Sequence, residues 1–193
     1  MNKIGIQGAR GSFSEEAARI FCDHHGLEPV DIDYRISSEA VLEGIESNQD
    51  DYGIFAMENA QGGVVIESVE ALARHRCRIV EMFYMPVRQN LLARPGMLIG
   101  DITEVYSHQQ ALRQCKDYLA EHFWTRPLVE TEDTALAAEQ LRDGILPETA
   151  AVIASRSCAE LYALNIVAPD IHDLKHNLTL FLGVTQWKET ENG

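Results

Sequence analysis

Basic residues are scarce in this chain. Lys and Arg number 16 against 30 Asp and Glu, a formal net charge of −14. Nucleic-acid binding rests on neutralising phosphates with cations, so the balance argues against a DNA or RNA partner. A small anionic ligand would also meet a repulsive overall field, and attraction for it would have to be built locally. Long apolar runs are missing too, with no window of about 18 residues that could span a bilayer as a helix. The N-terminal Met1-Asn2-Lys3-Ile4-Gly5-Ile6 enters a strand-like segment with no secretory h-region. These absences lead to the expectation of a cytoplasmic protein without a membrane partner. Cysteine is sparse: Cys22, Cys77, Cys115 and Cys158 are dispersed without a C-x-x-C pair. Four free thiols in a reducing compartment follow from that spacing. No low-complexity linker or internal repeat is found.

What is present is a soluble globular composition, 46% apolar and 24% charged over 193 residues. That length suits one domain, or two small lobes on one chain. Short apolar runs alternate with polar or Gly-containing turns and amphipathic segments. Residues 3–7, 29–34 and 52–57 read as strands, with helices near 14–24 and from Ser37 or Ser38 to about Asn48. Ser12 and Glu15 have capping-box spacing. Val65, Val69, Leu72 and Ala73 recur at helical period. Arg78 to Leu92 reads as strand broken at Pro86, and a helix is expected from about Gln109 to His122. Thr134 opens an Ala-rich helix and Ser155 another, with Asn165 at its stop. Strands follow at 150–154 and 179–185. The alternation predicts an α/β fold with mostly parallel sheets.

In such folds ligands sit beyond the carboxyl ends of the strands, where helix N-termini present free N–H groups. The junctions there are Arg10 to Ser14, Glu58 to Gly63, Ser107 to Gln110, and Asp133-Thr134. Each taken alone is a good helix cap; four on one edge suggest a binding cleft. Gly5, Gly8 and Gly11 give G-x-x-G-x-x-G, which lacks the tight-turn spacing of a dinucleotide fingerprint, although Asp31 stands about 20 residues on. A glycine loop for a carboxylate is the better reading. His24-His25 point to different faces, and His172 and His176, at i,i+4 spacing, lack a third ligand, so no metal site is expected. Solvated faces account for Glu15-Glu16, Asp50-Asp51 and the Glu130-Glu132-Asp133 cluster.

Taken in order, these segments resemble prephenate dehydratases. Residues 8–14, Gly-Ala-Arg-Gly-Ser-Phe-Ser, are similar to the family's G-x-x-G-T-F-S. Glu58-Asn59-Ala60-Gln61-Gly62-Gly63-Val64 resembles E-N-S-x-x-G-x-V, and residues 107–115 resemble S-H-P-Q-A-L-x-Q-C. Asn177-Leu178-Thr179-Leu180-Phe181 nearly spells Asn-x-Thr-Arg-Phe, with Leu180 in place of Arg. The resemblance covers roughly residues 4 to 184. It implies a fold like the type 2 periplasmic-binding proteins, two α/β lobes with the active site in the inter-lobe cleft. Lobe 1 would take about 1–77 plus 173–193, and lobe 2 about 78–172, within a single domain of 1–193.

The resemblance further implies conversion of prephenate to phenylpyruvate, with loss of CO2 and water, on the route to phenylalanine. Thr179 would donate a hydrogen bond to the leaving hydroxyl, with Glu58 and Asn59 as its catalytic neighbours. In a dry enough cleft Glu58 could serve as a protonated acid. Arg10, Gly11, Ser12, Ser107, Gln114, Thr134 and Phe181 would bind substrate. Leu180 removes an expected cation, for which Arg10, Lys175 or helix N-termini are candidate replacements. The chemistry needs no cofactor. Family members generally dimerise, so a homodimer or higher homo-oligomer is expected. Many carry a C-terminal ACT domain that binds phenylalanine. This chain ends at Gly193, twelve residues after Phe181, and is expected to lack it. A related lyase acting on arogenate or only decarboxylating prephenate, and a non-catalytic carboxylate-binding module, are the alternatives. The decarboxylating branch lacks the hydroxyl that Thr179 retains.

Overall fold

A computed structural model describes residues 1–188. The chain forms two compact units. Unit 1 comprises Met1–Gly8, Ser14–Met85 and Leu178–Gly193, of which residues 189–193 lie outside the described residues. Unit 2 comprises Ala9–Phe13 and Pro86–Asn177.

Unit 1 is built on a six-stranded sheet. β1 (Asn2–Ile6) pairs in parallel with β2 (Val30–Tyr34), across α1 (Phe13–His25), and with β3 (Tyr52–Asn59). α2 (Ser38–Glu46) starts where Ser37 Oγ accepts from Ala40 N at 3.1 Å, one of the two caps expected from the sequence. β4 (Gly63–Val64) folds back on β3, and α3 (Ile66–Arg74) follows. β5 (Cys77–Pro86) is the edge strand beside β11 (Leu178–Gln186), which runs antiparallel to β3. This pairing moves the unit boundary from the expected 77/78 to Met85/Pro86, because β5 belongs to the first sheet along nearly its whole length. Val41, Leu42, Ile45, Phe55, Ala71, Leu182 and Val184 form one buried cluster. In α3 the inward stripe is Ser68 and Ala71, while Val69 is 42% exposed, so the expected apolar phase is shifted by one residue on that helix.

Unit 2 has its own five-stranded sheet in the order β10-β6-β9-β7-β8, formed by β6 (Asn90–Ala93), β7 (Glu104–His108), β8 (Leu128–Thr131), β9 (Ala150–Ala154) and β10 (Asn165–Ala168). β7 runs parallel to β8 and β9, but β6 is antiparallel to both β9 and β10. Both sheets are therefore mixed, not mostly parallel. Returning strands β6 and β11 read like any other apolar run, and their direction is set by connections that the local pattern does not show. β9, Ala-Ala-Val-Ile-Ala, is buried along its whole length.

The expected helix 109–122 is two: α4 (Gln109–Gln114) and α5 (Lys116–Phe123), separated at Cys115, whose backbone leaves the helical region at φ −114 and ψ 22. α6 (Thr134–Arg142) is capped by Asp133 and α7 (Arg156–Leu161) by Ser155. Asn165 begins β10 and does not end a helix. His172 and His176 lie outside any helix, which removes the shared face their spacing suggested. The four cysteines are free, and burial pushes the thiols of Cys22, Cys77 and Cys115 above their ordinary range. No helix among the described residues is long and apolar enough to cross a membrane.

β11 passes close over α1: a Cβ on Gly183 would overlap the ring of buried Phe21. Gly183→Ala is expected to destabilise unit 1 by about 1–3 kcal/mol, the usual cost of overpacking. Chemical denaturation would read it, and an unchanged midpoint would show that Phe21 can swing aside.

A clasp joins α2 to the end of α3. His75 Nε2 meets Glu39 Oε1 at 3.0 Å and Nδ1 meets Glu46 Oε2 at 2.8 Å, with Arg74 on the second Glu39 oxygen at 3.2 Å. The Glu46 hydrogen bond, then the Glu39 bond against partial burial, raise His75 above its ordinary 6.5. A raised histidine contributes stability that is complete below pH 6.5 and lost as pH rises through the folded value. Melting temperature should therefore fall across that window, and His75→Gln should flatten the fall.

Candidate active site

In unit 1, the antiparallel register sets Thr179 opposite Asn59 and Leu180 opposite Glu58. Asn59 Nδ2 donates to Thr179 Oγ1 at 2.9 Å, and both residues are buried. Which amide atom faces the threonine is fixed by the backbone. Asn59 Oδ1 accepts from Gln61 N at 3.0 Å and Gly62 N at 2.8 Å, and only oxygen can accept from an N–H. The Thr179 oxygen is thus an acceptor toward Asn59, and its own O–H proton is left to donate elsewhere.

The register shifts between Leu180 and Phe181, leaving Met57 of β3 without a partner opposite. At that bulge Gln7 Oε1 accepts from Ala56 N at 3.1 Å. Gln7 was not singled out in the sequence, where a polar residue ending a strand carries no signal of its own.

Glu58 does not join this pair. Neighbouring residues on a strand project to opposite faces, so Glu58 and Leu180 lie on the face away from Asn59 and Thr179. Glu58 is exposed, which removes the dry surroundings that a protonated-acid role required. Phe181 is 2% exposed and stacks on Phe83 with centroids 6.1 Å apart, a core contact in place of the expected substrate contact.

In unit 2, Gln114 at the end of α4 is 4% exposed. Its Oε1 accepts from Gln89 Nε2 at 3.0 Å and from Asn177 Nδ2 at 2.9 Å. Ser107 is fully buried, and its hydroxyl donates to Ile153 O at 2.7 Å, bracing β7 against β9. That bond engages the proton a ligand would need. Thr134 opens α6, but Asp133 Oδ1 already accepts from Ala135 N at 2.7 Å and Leu136 N at 2.9 Å. At this junction the cap occupies donors that a ligand would otherwise use.

The glycine loop is held from behind. Gly11, at φ 86, offers its carbonyl to Ser155 Oγ at 2.7 Å and Cys158 Sγ at 3.2 Å, and the Tyr162 hydroxyl donates to Arg10 O at 3.0 Å. Ser12 is buried and its N–H donates to Ala9 O at 3.1 Å. The Arg10 side chain is exposed. A Cβ at position 11 would lie 3.0 Å from Cys158 Sγ in a left-handed backbone conformation, so glycine is required there.

The sequence profile of the prephenate dehydratases matches residues 4–189. The chain belongs to that family. It is 37% identical to arogenate dehydratase/prephenate dehydratase 2 of Arabidopsis thaliana over 93% of this chain and 45% of the relative. It is 33% identical to the prephenate dehydratase of Lactococcus lactis, over 93% of this chain and 62% of that one. Among solved structures, the prephenate dehydratase of Arthrobacter aurescens, crystallised in complex with L-Phe, superposes with a TM-score of 0.83. That match has 25% identity and covers 96% of this chain and 61% of the other. The chain spans about half the length of the plant relatives it matches.

Membership gives Leu180 its context. An arginine at position 180 would stand across the strands from Glu58, on the face away from Thr179. Leu180→Arg should add a cross-strand ion pair of up to about 1 kcal/mol. The gain should vanish in a Glu58→Gln background. A gain that persists there would place the arginine against some other group.

Proposed function

We propose that this chain is a prephenate dehydratase, removing CO2 and the ring hydroxyl of prephenate to give phenylpyruvate. The observation that carries this reading is that Asn59 donates to Thr179 Oγ1, which leaves the hydroxyl's own proton to be given to a ligand. In the reaction the ring carboxylate leaves as CO2, its bonding electrons enter the ring, and the C4–O bond breaks as the ring becomes aromatic. The departing hydroxide takes a proton to become water, and that proton comes from solvent. A threonine hydroxyl is too weak an acid to supply it, but a preorganised donor stabilises the charge that develops on the leaving oxygen. Gln114 of unit 2 would hold a substrate carboxylate, with Arg10 and the Gly11-Ser12 loop as further anion contacts. The exposure of Glu58 favours an outer position for it over a role as acid.

Arogenate, with an amino group in place of the keto group, is the second reading. The name of the Arabidopsis relative favours it, since that protein carries both activities in its name. A cytoplasmic setting fits the free, unpaired cysteines. A homodimer or higher homo-oligomer belongs to the same proposal and rests on family resemblance.

The test is turnover of prephenate and of arogenate by the purified chain, beside Thr179→Ala and Thr179→Ser. Removing the donor is expected to lower kcat by about 10²–10³, as for other oxyanion-type donors, with serine recovering much of it. Undiminished turnover in Thr179→Ala would overturn the assignment of Thr179. Absence of turnover on both substrates in the natural chain would overturn the activity itself.

A further inference from the structure

We infer that Asn177, with Gln89 beside it, is a positioning residue that locks the Gln114 amide so that its NH2, and not its carbonyl, is presented to an anionic group of the substrate. The inference rests on the proposed function for its ligand, but its geometry stands apart from it.

The chain of reasoning starts at Val87. Its backbone carbonyl can only accept, and Asn177 donates to it through Nδ2 at 3.0 Å. The same NH2 group donates its second hydrogen to the Gln114 side chain at 2.9 Å, so the atom it meets there must be oxygen. Gln89 then has to offer its own NH2 to that oxygen, which it does at 3.0 Å. Both lone pairs of Gln114 Oε1 are filled from inside the protein. Reversing the Gln114 amide would set its N–H groups against those of Asn177 and Gln89.

Backbone bonds hold all three residues in place. Val87 N donates to Asn177 O, Ile171 N to Gln89 O and Asp173 N to Gln114 O, each at 2.8 Å. Gln89 and Asn177 are each 2% exposed, so solvent cannot substitute for either donor. The arrangement leaves Gln89 Oε1 buried with no hydrogen-bond donor. Turning Gln89 over to relieve that atom would bring two oxygens together. An orphaned acceptor of this kind is tolerated where orientation matters more than local satisfaction. For the Nε2 hydrogens of Gln114 no protein acceptor is present among the described residues, and they are available to a carboxylate.

Asn177→Asp is nearly isosteric and inverts the polarity. Protonated, the new side chain donates to Val87 O and accepts from Gln114, whose carbonyl would then turn outward toward the substrate's negative charge. Loss of a hydrogen bond to a charged group should raise KM for prephenate about ten- to a hundredfold. kcat should change by less than about threefold, since the chemistry at Thr179 is not touched. Gln89→Met removes one donor together with the orphaned acceptor, so it should fold well and raise KM only about two- to fivefold.

Side-chain amide NMR reads the lock without activity. In the natural protein the Gln114 NH2 protons should exchange faster with solvent than those of buried Gln89, and Asn177→Asp, by turning the Gln114 NH2 inward, should slow them to the Gln89 range or below. If that variant folds with the exchange order unchanged and KM within about twofold, the lock is wrong. Should Asn177→Asp fail to fold, an unchanged KM in Gln89→Met would overturn the lock equally. If the natural chain does not turn over prephenate, the proposed function fails while the exchange order still decides the lock.

Discussion

The contact on which unit 1 is organised joins Asn59 to Thr179, residues 120 apart in sequence. It exists only in one register of β3 against β11. A slip of β11 by one residue would set Leu178 or Leu180 opposite Asn59 and turn Thr179 to the other face. Several unrelated features hold that register. Gln7 bonds Ala56 at the bulge, Phe21 fills the space above Gly183, and a Cβ on Gly53 would crowd Val41 and Val184. Each would be lost in a slipped pairing. The placement of one hydroxyl is thus backed by packing on both faces of the sheet.

The same logic settles amide orientation in both units. Asn and Gln can present either a donor or an acceptor, and nothing in their sequence position decides which. Backbone groups decide it, because an N–H only donates and a carbonyl only accepts. Two N–H groups in the turn after β3 claim Asn59 Oδ1 and thereby make Thr179 an acceptor toward Asn59, with its own proton still to give. One carbonyl, Val87 O, claims Asn177 Nδ2 and through it orients Gln114. Loops that look irregular in the chain are what give these side chains a sign.

Much of the fold was legible in the sequence. Strands announced themselves as short apolar runs, and Ser37, Asp133 and Ser155 sit at helix starts where hydroxyl and carboxylate side chains belong. Strand direction was not legible, since β6 and β11 look locally like their parallel neighbours. The helix break at buried Cys115 was also silent, because an unbroken apolar stripe from Ala111 to Leu119 reads as one helix. Among the candidate site residues, motif matching could not separate ligand contacts from the braces that hold them. Ser107 and Phe181 belong to the braces: one bonds a neighbouring strand and the other packs on Phe83. Glu58 and Asn59 were grouped by the motif they share, whereas β3 sends their side chains to opposite faces.

Anion recognition in so acidic a chain poses an electrostatic question that the two sets of residues answer in a particular way. The net charge of −14 acts over a screened range of about 8 Å at physiological salt, so distant carboxylates contribute little inside a site. What counts is local, and in each unit the buried candidate is a neutral dipole oriented by internal partners: a threonine hydroxyl in unit 1 and a glutamine amide in unit 2. Such dipoles are already oriented, so in the proposed reaction they would lose no energy to reorganisation as charge moves from the ring carboxylate to the leaving oxygen. A buried cation would attract the substrate more strongly, but it would stabilise the ring carboxylate that must leave as CO2. Binding the ground state tightly in that way brings no gain in rate. Fixed neutral donors of this kind suit a reaction that must disperse charge more than hold it.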